Sequence, residues 1–168
     1  HADIWHLFFN MLFLYIYGDN IEAYLGRVNF MIFYALGGLS AALLQSMFSG
    51  GMDIPMIGAS GCISAIMGAY WVLYPKAKIN VFLWIFIFIQ FIKVPASIVI
   101  GFWILEQLIS AGNGSYDGVA YFAHIGGFIF GYLGIKFFFK EYVQYEEISE
   151  SDLPISRKNK SQGLTKDD

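Results

Sequence analysis

Residues 121–139 read YFAHIGGFIFGYLGIKFFF, with a single lysine at position 136. The segment is close to the roughly 20 apolar residues that a helix needs to cross a bilayer. His124, Gly127, Gly131 and Gly134 recur at steps of three and four, so a helix places them on one face. A second small-residue stripe, Ser60, Ser64 and Gly68, recurs every four residues in the run that follows Gly58. Stripes of this kind let transmembrane helices approach closely. Packing one stripe on the other would set the Ser60 hydroxyl beside the His124 imidazole.

The rest of the chain has the composition of a membrane protein. It is 57% hydrophobic, 19% aromatic and only 14% charged, with a mean hydropathy of +0.56. Soluble proteins carry roughly 25% charged residues. Of the 23 charged side chains, 11 lie in residues 1–139 and 12 crowd into residues 140–168. An almost uncharged body is thus followed by a short polar tail, read as solvated, cytoplasmic and disordered. The body lacks the basic face of a nucleic-acid binder. Cys62 stands alone, which excludes a disulfide scaffold. The chain opens on His1 and runs at once into apolar sequence without a charged n-region, so the start reads as a truncation and not a signal peptide.

Five crossings are expected in an all-α polytopic body: about 4–17, closed by Gly18-Asp19-Asn20; 28–48; 58 to Tyr74-Pro75; 94–111; and 121–139. The stretch 79–92 would reach only about 21 Å as a helix, too little to cross comfortably. It reads as interfacial or re-entrant, the alternative being part of one long tilted helix with 94–111. With five crossings, Arg27, Lys76, Lys78, Lys136 and Lys140 fall on one side, and the opposite loops carry Asp53 and Asp117 without Lys or Arg. The positive-inside rule makes the first side cytoplasmic.

Strongly polar side chains in such spans are functional hypotheses. His6 and Asn10 lie four apart on one face of the first span; Ser60 and His124 open the third and the last. All four fall at one depth, near the outer surface. A serine beside an imidazole is a nucleophile with its general base. Asn10, His6 and the Ser60 backbone N–H can donate to an oxyanion, and the positive end of the helix that starts at Ser60 adds to the field. The chemistry reads as peptide-bond hydrolysis within the membrane. Each residue alone has a plainer reading, since a membrane serine ordinarily bonds its own helix backbone. The conjunction on three spans carries the inference.

These residues resemble the rhomboid intramembrane serine proteases of bacterial type. His6-Leu7-Phe8-Phe9-Asn10 is similar to the family's HxxxN, Gly58-Ala59-Ser60-Gly61 to its GxSG, and Ala123-His124-Ile125-Gly126-Gly127 with Gly131 to its AHxxGxxxG. Tyr17-Gly18-Asp19-Asn20 with Glu22, and Pro95-Ala96, are also similar to bacterial members. The resemblance implies a Ser60–His124 dyad, an oxyanion hole from His6, Asn10 and the Ser60 N–H, and close helix packing around Gly58, Gly61, Ser64, Gly68, Gly127 and Gly131. It implies no metal and no cofactor. Its implied partners are the lipid bilayer and transmembrane protein substrates, cut in or beside a membrane helix. The implied location is a bacterial inner membrane, with the site towards the outer face.

The sequence departs from the family in two ways. The family core has six spans against five here, so the domain at 1–139 would lack the first span and the loop that commonly carries Trp-Arg. Some members also place a tyrosine one turn after the nucleophile, against the histidine. Ser64 stands there in this chain, leaving Tyr121 or Phe122 as candidates to position His124. The rival readings are a catalytically inactive rhomboid-like chaperone or binding protein, and a channel or transporter. A metalloprotease would need HExxH, and none of the three histidines is followed by Glu.

Overall fold

Asp3 starts the first helix: its carboxylate accepts the His6 N–H at 2.8 Å, satisfying one of the unpaired donors of the opening turn. The computed structural model describes residues 3–48, 57–85, 88–114 and 118–138. Within them the order is α1 (Ile4–Leu25), α2 (Arg27–Phe48), α3 (Ser60–Leu73), β1 (Lys78–Ile85), β2 (Phe88–Pro95), α4 (Ala96–Gly112) and α5 (Tyr121–Phe138). The boundary at 139–140, the tail 140–168 and most of the loop 49–57 lie outside the described residues.

The first span differs from its expected length. Gly18-Asp19-Asn20 does not close α1, which runs two turns further to Leu25 and ends at Gly26, with φ 76° and its N–H on the Glu22 carbonyl at 2.8 Å. Asp19 and Asn20 face outward, so their polarity does not oppose the helix. Tyr17, Ile21 and Leu25 are buried on the inner face. Burying each such side chain is worth about 1.5–3 kcal/mol, more than the roughly 1 kcal/mol that a helical glycine costs.

The connection between α3 and α4 is neither a helix nor part of one. β1 and β2 form an antiparallel hairpin in the register Lys78↔Pro95 through Ile85↔Phe88. Residues 79–94 are rich in Ile, Val and Phe, which favour strands. Phe82 faces Phe91 with ring centres 5.3 Å apart. Pairing with each other satisfies the backbone groups on the facing edges of the two strands. The hairpin base is held where the Ala96 N–H meets the Ala77 carbonyl at 2.7 Å and the Ser97 N–H meets that of Pro75 at 3.2 Å. This short return leaves α4 as the one helix between α3 and α5, so the start of α3 and the start of α5 come to the same end of the bundle.

The core joins Tyr17 and Ile21 of α1, Phe33 of α2, Ile66 and Met67 of α3, Ile100 of α4 and Ile135 of α5. Its seams are glycines. A Cβ added to Gly127 would overlap the Gly61 carbonyl oxygen, one on Gly131 that of Ala65, and one on Gly68 that of Phe128. Gly134 belongs to a different seam, against the Phe33 ring of α2. Outward, the bundle is apolar, with Phe102 71% and Phe138 85% exposed among many large hydrophobic side chains. Such a surface suits lipid and not water. Helices α2 and α5 are long and apolar enough to cross a membrane, and α3 and α4 are shorter apolar helices. The chain is an integral membrane protein built as a helical bundle.

Replacing Gly131 by Ala puts a methyl group into the Ala65 backbone, which no rotamer change relieves. Gly131→Ala should destabilise the bundle by about 1–3 kcal/mol or more. Gly112→Ala, which meets nothing within 4 Å, should be near neutral. Thermal unfolding of both variants in detergent separates the two cases.

Candidate active site

The third helix begins at Ser60 itself. The residue before it, Ala59, provides no side-chain cap. Its carbonyl accepts the Ile63 N–H at 3.0 Å, so the first-turn N–H groups of residues 60–62 lack partners within the helix. Gly58 precedes the helix with φ 106°, a conformation that strains any residue with a side chain. The chain therefore turns sharply into α3, and the positive end of the helix opens beside the serine hydroxyl.

His124 sits in the first turn of α5, and that turn is tied to α2. The Ala123 N–H donates to Gln45 Oε1 at 3.1 Å, and Ser40 Oγ donates to the Gly126 carbonyl at 3.2 Å. Gln45 is buried and acts as a side-chain cap supplied by another helix. With α5 held in this way, His124 Nε2 lies 2.9 Å from Ser60 Oγ. The stripe formed by Ser60, Ser64 and Gly68 meets the stripe formed by His124, Gly127 and Gly131, and the hydroxyl and imidazole come together as their spacing requires.

The other side of the imidazole is also occupied. Nδ1 lies 2.6 Å from Gln107 Oε1 of α4. The Trp103 ring packs on the imidazole with centres 5.7 Å apart and planes tilted by 40°. Neither residue was singled out by the sequence reading, which looked to Tyr121 or Phe122. Phe122 is stacked instead on Phe48, 5.0 Å between ring centres. Ser64 donates back to the Ser60 carbonyl at 2.7 Å, a bond within its own helix. The signal for Gln107 was present: it is a carboxamide in an apolar span, one turn after a tryptophan on the same face. Gln45 is likewise a carboxamide in an apolar span.

His6 and Asn10 join the pair from α1. A cavity of about 220 Å³ is lined by His6, Asn10, Ser60, Trp103 and His124, with Phe9, Phe13, Ile63 and Met67 among its apolar walls. A second hollow of about 460 Å³ reaches the same Ser60 and His124 from the side of Asp3, Ile57, Gly118 and Ala120. Asn10 is 6% exposed; its Nδ2 donates to the His6 carbonyl at 2.8 Å, and its Oδ1 has no partner among the described residues. All four polar residues expected at one depth therefore border one space. Chemically, that space offers a hydroxyl with an imidazole acceptor, the Ser60 N–H at a helix start and two further side-chain donors.

Comparison with known proteins gives this arrangement a context. The family model described as "Rhomboid domain" matches residues 1–141. The chain is 32% identical over 145 residues to "Rhomboid protein 1, mitochondrial" of Saccharomyces cerevisiae, covering 79% of this chain and 38% of that protein. It is 28% identical over 162 residues to "RHOMBOID-like protein 1" of Arabidopsis thaliana, 92% of this chain and 36% of the relative. A bacterial relative, the YdcA rhomboid protein of Bacillus subtilis, is 30% identical over 70 residues, 42% of this chain and 35% of its own. The chain thus spans little more than a third of the length of these relatives. No solved structure matches it significantly.

Removing the interhelical cap should be measurable apart from the chemistry. Gln45→Leu removes the interhelical one of two acceptors of the Ala123 N–H, which also meets the Ala120 carbonyl at 3.0 Å, and the lost bond costs about 0.5–1.5 kcal/mol. We expect a lowered melting temperature in detergent, whereas Asn29→Ala, which removes only a side-chain bond to Leu25 one turn back on an exposed face, should shift it far less.

Proposed function

The chain belongs to the rhomboid family, and on that premise we propose that it is an intramembrane serine endopeptidase, hydrolysing peptide bonds in or beside the transmembrane segments of other membrane proteins. The observation that carries this reading is the 2.9 Å contact between Ser60 Oγ and His124 Nε2 at the open start of a helix. A membrane serine paired across helices with a histidine is not satisfying its own backbone, which is the plain structural use of such a residue.

The steps follow from the groups present. His124 Nε2 accepts the Ser60 proton as Oγ attacks the scissile carbonyl, and the carbonyl oxygen becomes an oxyanion. The Ser60 N–H, the positive end of α3 and the side chains of His6 and Asn10 are the donors available to that charge. The imidazolium then protonates the leaving amine, and the first product departs from an ester on Ser60. Water, deprotonated by His124, hydrolyses the ester and returns the serine. Burial of the site strengthens each of these interactions, because little water competes for them.

Several finer features belong to the same proposal. Five crossings, α1 to α5, put the dyad towards the outer face by the positive-inside count, with residues 140–168 as a solvated cytoplasmic tail. The Tyr17-Gly18-Asp19-Asn20 and Pro95-Ala96 similarities favour a bacterial member in the inner membrane. The rhomboid relatives reported above come from a mitochondrion, a plant and a bacterium. An inactive chaperone-like relative is the alternative, and the intact Ser60–His124 contact speaks against it.

The reading is tested by treating the protein in detergent with a fluorescent fluorophosphonate. We expect labelling of the wild type that Ser60→Ala and His124→Ala both abolish. An unlabelled wild type that melts cooperatively would move the chaperone-like alternative to first place. Asn10→Ala should lower turnover of a transmembrane substrate by roughly 10²–10³-fold if its amide serves the oxyanion. An unchanged rate would remove Asn10 from that role.

A further inference from the structure

After Ser97 in its first turn, helix α4 is apolar until near its end, where Glu106, Gln107 and Ser110 lie within about one turn. Gln107 is 4% exposed. A carboxamide buried at such depth is costly unless both of its ends are bonded. Both are: Oε1 meets His124 Nδ1 at 2.6 Å, and Nε2 donates to a carboxylate oxygen of Glu106. The other Glu106 oxygen accepts from Ser110 Oγ at 3.0 Å. A continuous chain therefore runs from Glu106 through Gln107 and His124 to Ser60. A two-residue mechanism uses only its last two members.

The chain has a direction. An ionised carboxylate only accepts hydrogen bonds, so Glu106 turns the Gln107 amide nitrogen towards itself. The amide oxygen is thereby presented to His124, and it too only accepts. Nδ1 must then carry the imidazole's proton, and in a neutral ring this leaves Nε2 bare. Nε2 is the nitrogen that faces Ser60 Oγ. We propose that Gln107, oriented by Glu106, is a positioning residue that holds His124 in the one tautomer able to accept the serine proton. When the ring takes that proton, Nδ1–H stays on Nδ1, and the amide oxygen's partial charge steadies the cation. Neither Gln107 nor Glu106 gains a proton. Trp103 bears on the ring alongside them. The arrangement does with an amide backed by a carboxylate what a third carboxylate does in a triad.

This inference rests on the Ser60–His124 reading, and its test separates the two. Fluorophosphonate labelling of the protein in detergent is followed in time for the wild type, Gln107→Leu, the double variant Glu106→Gln with Gln107→Glu, and Ser60→Ala, with cleavage of a transmembrane peptide measured alongside. General-base assistance is worth about 10²–10⁴-fold. Gln107→Leu is therefore expected to slow labelling by about 10²-fold and to lower kcat with KM little changed. Gln107→Glu combined with Glu106→Gln, which keeps an acceptor for Nδ1–H and a donor facing it from position 106, should recover most of the loss. In wild-type protein carrying 15N-histidine, the resonances that vanish in His124→Ala should report a proton on Nδ1, a readout that does not depend on any Gln107 variant folding. Labelling of Gln107→Leu at the wild-type rate, or an Nε2–H tautomer for His124 in the wild type, overturns the role of Gln107 and leaves the dyad standing. Wild type that labels no better than Ser60→Ala overturns both.

Discussion

Backbone meets backbone between α3 and α5, and the rest of the structure depends on it. Inside a bilayer, hydrophobicity does not drive helices together, because lipid tails are as apolar as leucine. What remains is close packing. Gly127 lies over the Gly61 carbonyl, Gly131 over that of Ala65, and Gly68 under that of Phe128, each too close to admit a methyl group. Three such contacts along one seam fix both the crossing of the two helices and their register. Ser60 adjoins Gly61, and His124 stands three residues before Gly127. The Ser60 hydroxyl and the His124 imidazole are thus carried on helices whose separation is set by main-chain contact.

A second seam joins α2 to the pair. Gly61 and Gly126 both close on Ala41, and Gly37 closes on Ala65. Here the polar groups enter. Gln45 and Ser40 of α2 bond the first turn of α5, so the segment that carries His124 cannot fray. Gln107 and Trp103 of α4 bear on the imidazole from another side. In surroundings of low polarity each bond is stronger, and each omission would be more costly, than in water. The bundle therefore gathers Ser40, Gln45, Trp103 and Gln107 around the end that holds Ser60 and His124.

The hairpin shows how the ends are arranged. A helix through residues 79–94 would have carried the chain towards the far side and separated Ser60 from His124. The strands return it instead to where it left α3, as the Ala96–Ala77 and Ser97–Pro75 bonds record. One crossing by α4 then suffices to bring α5 in beside α3. The single crossing is legible in the sequence from length, since residues 79–92 are too short as a helix to span, and it agrees with the need to bring Ser60 and His124 together. The strands are not legible there, because a run of large apolar residues shows no period that separates a buried strand from a helix.

What the sequence by itself determined was the set of local facts that spacing can encode. Small residues at steps of three and four announced two helix faces that had to meet, and the polar residues at the ends of those faces announced the chemistry. Membrane character followed from composition alone. The end of α1 was misjudged because Gly18 and Asp19 are locally poor for a helix, and only the packing of Ile21 and Leu25 outweighs them. Gln107, Trp103 and Gln45 were passed over for a related reason. Each is one polar or aromatic residue in an apolar helix, and nothing in its own neighbourhood says which side chain of another helix it will face. That choice belongs to the tertiary structure, because contacts between residues 17 or 78 positions apart exist only after the glycine seams have set the helices against one another.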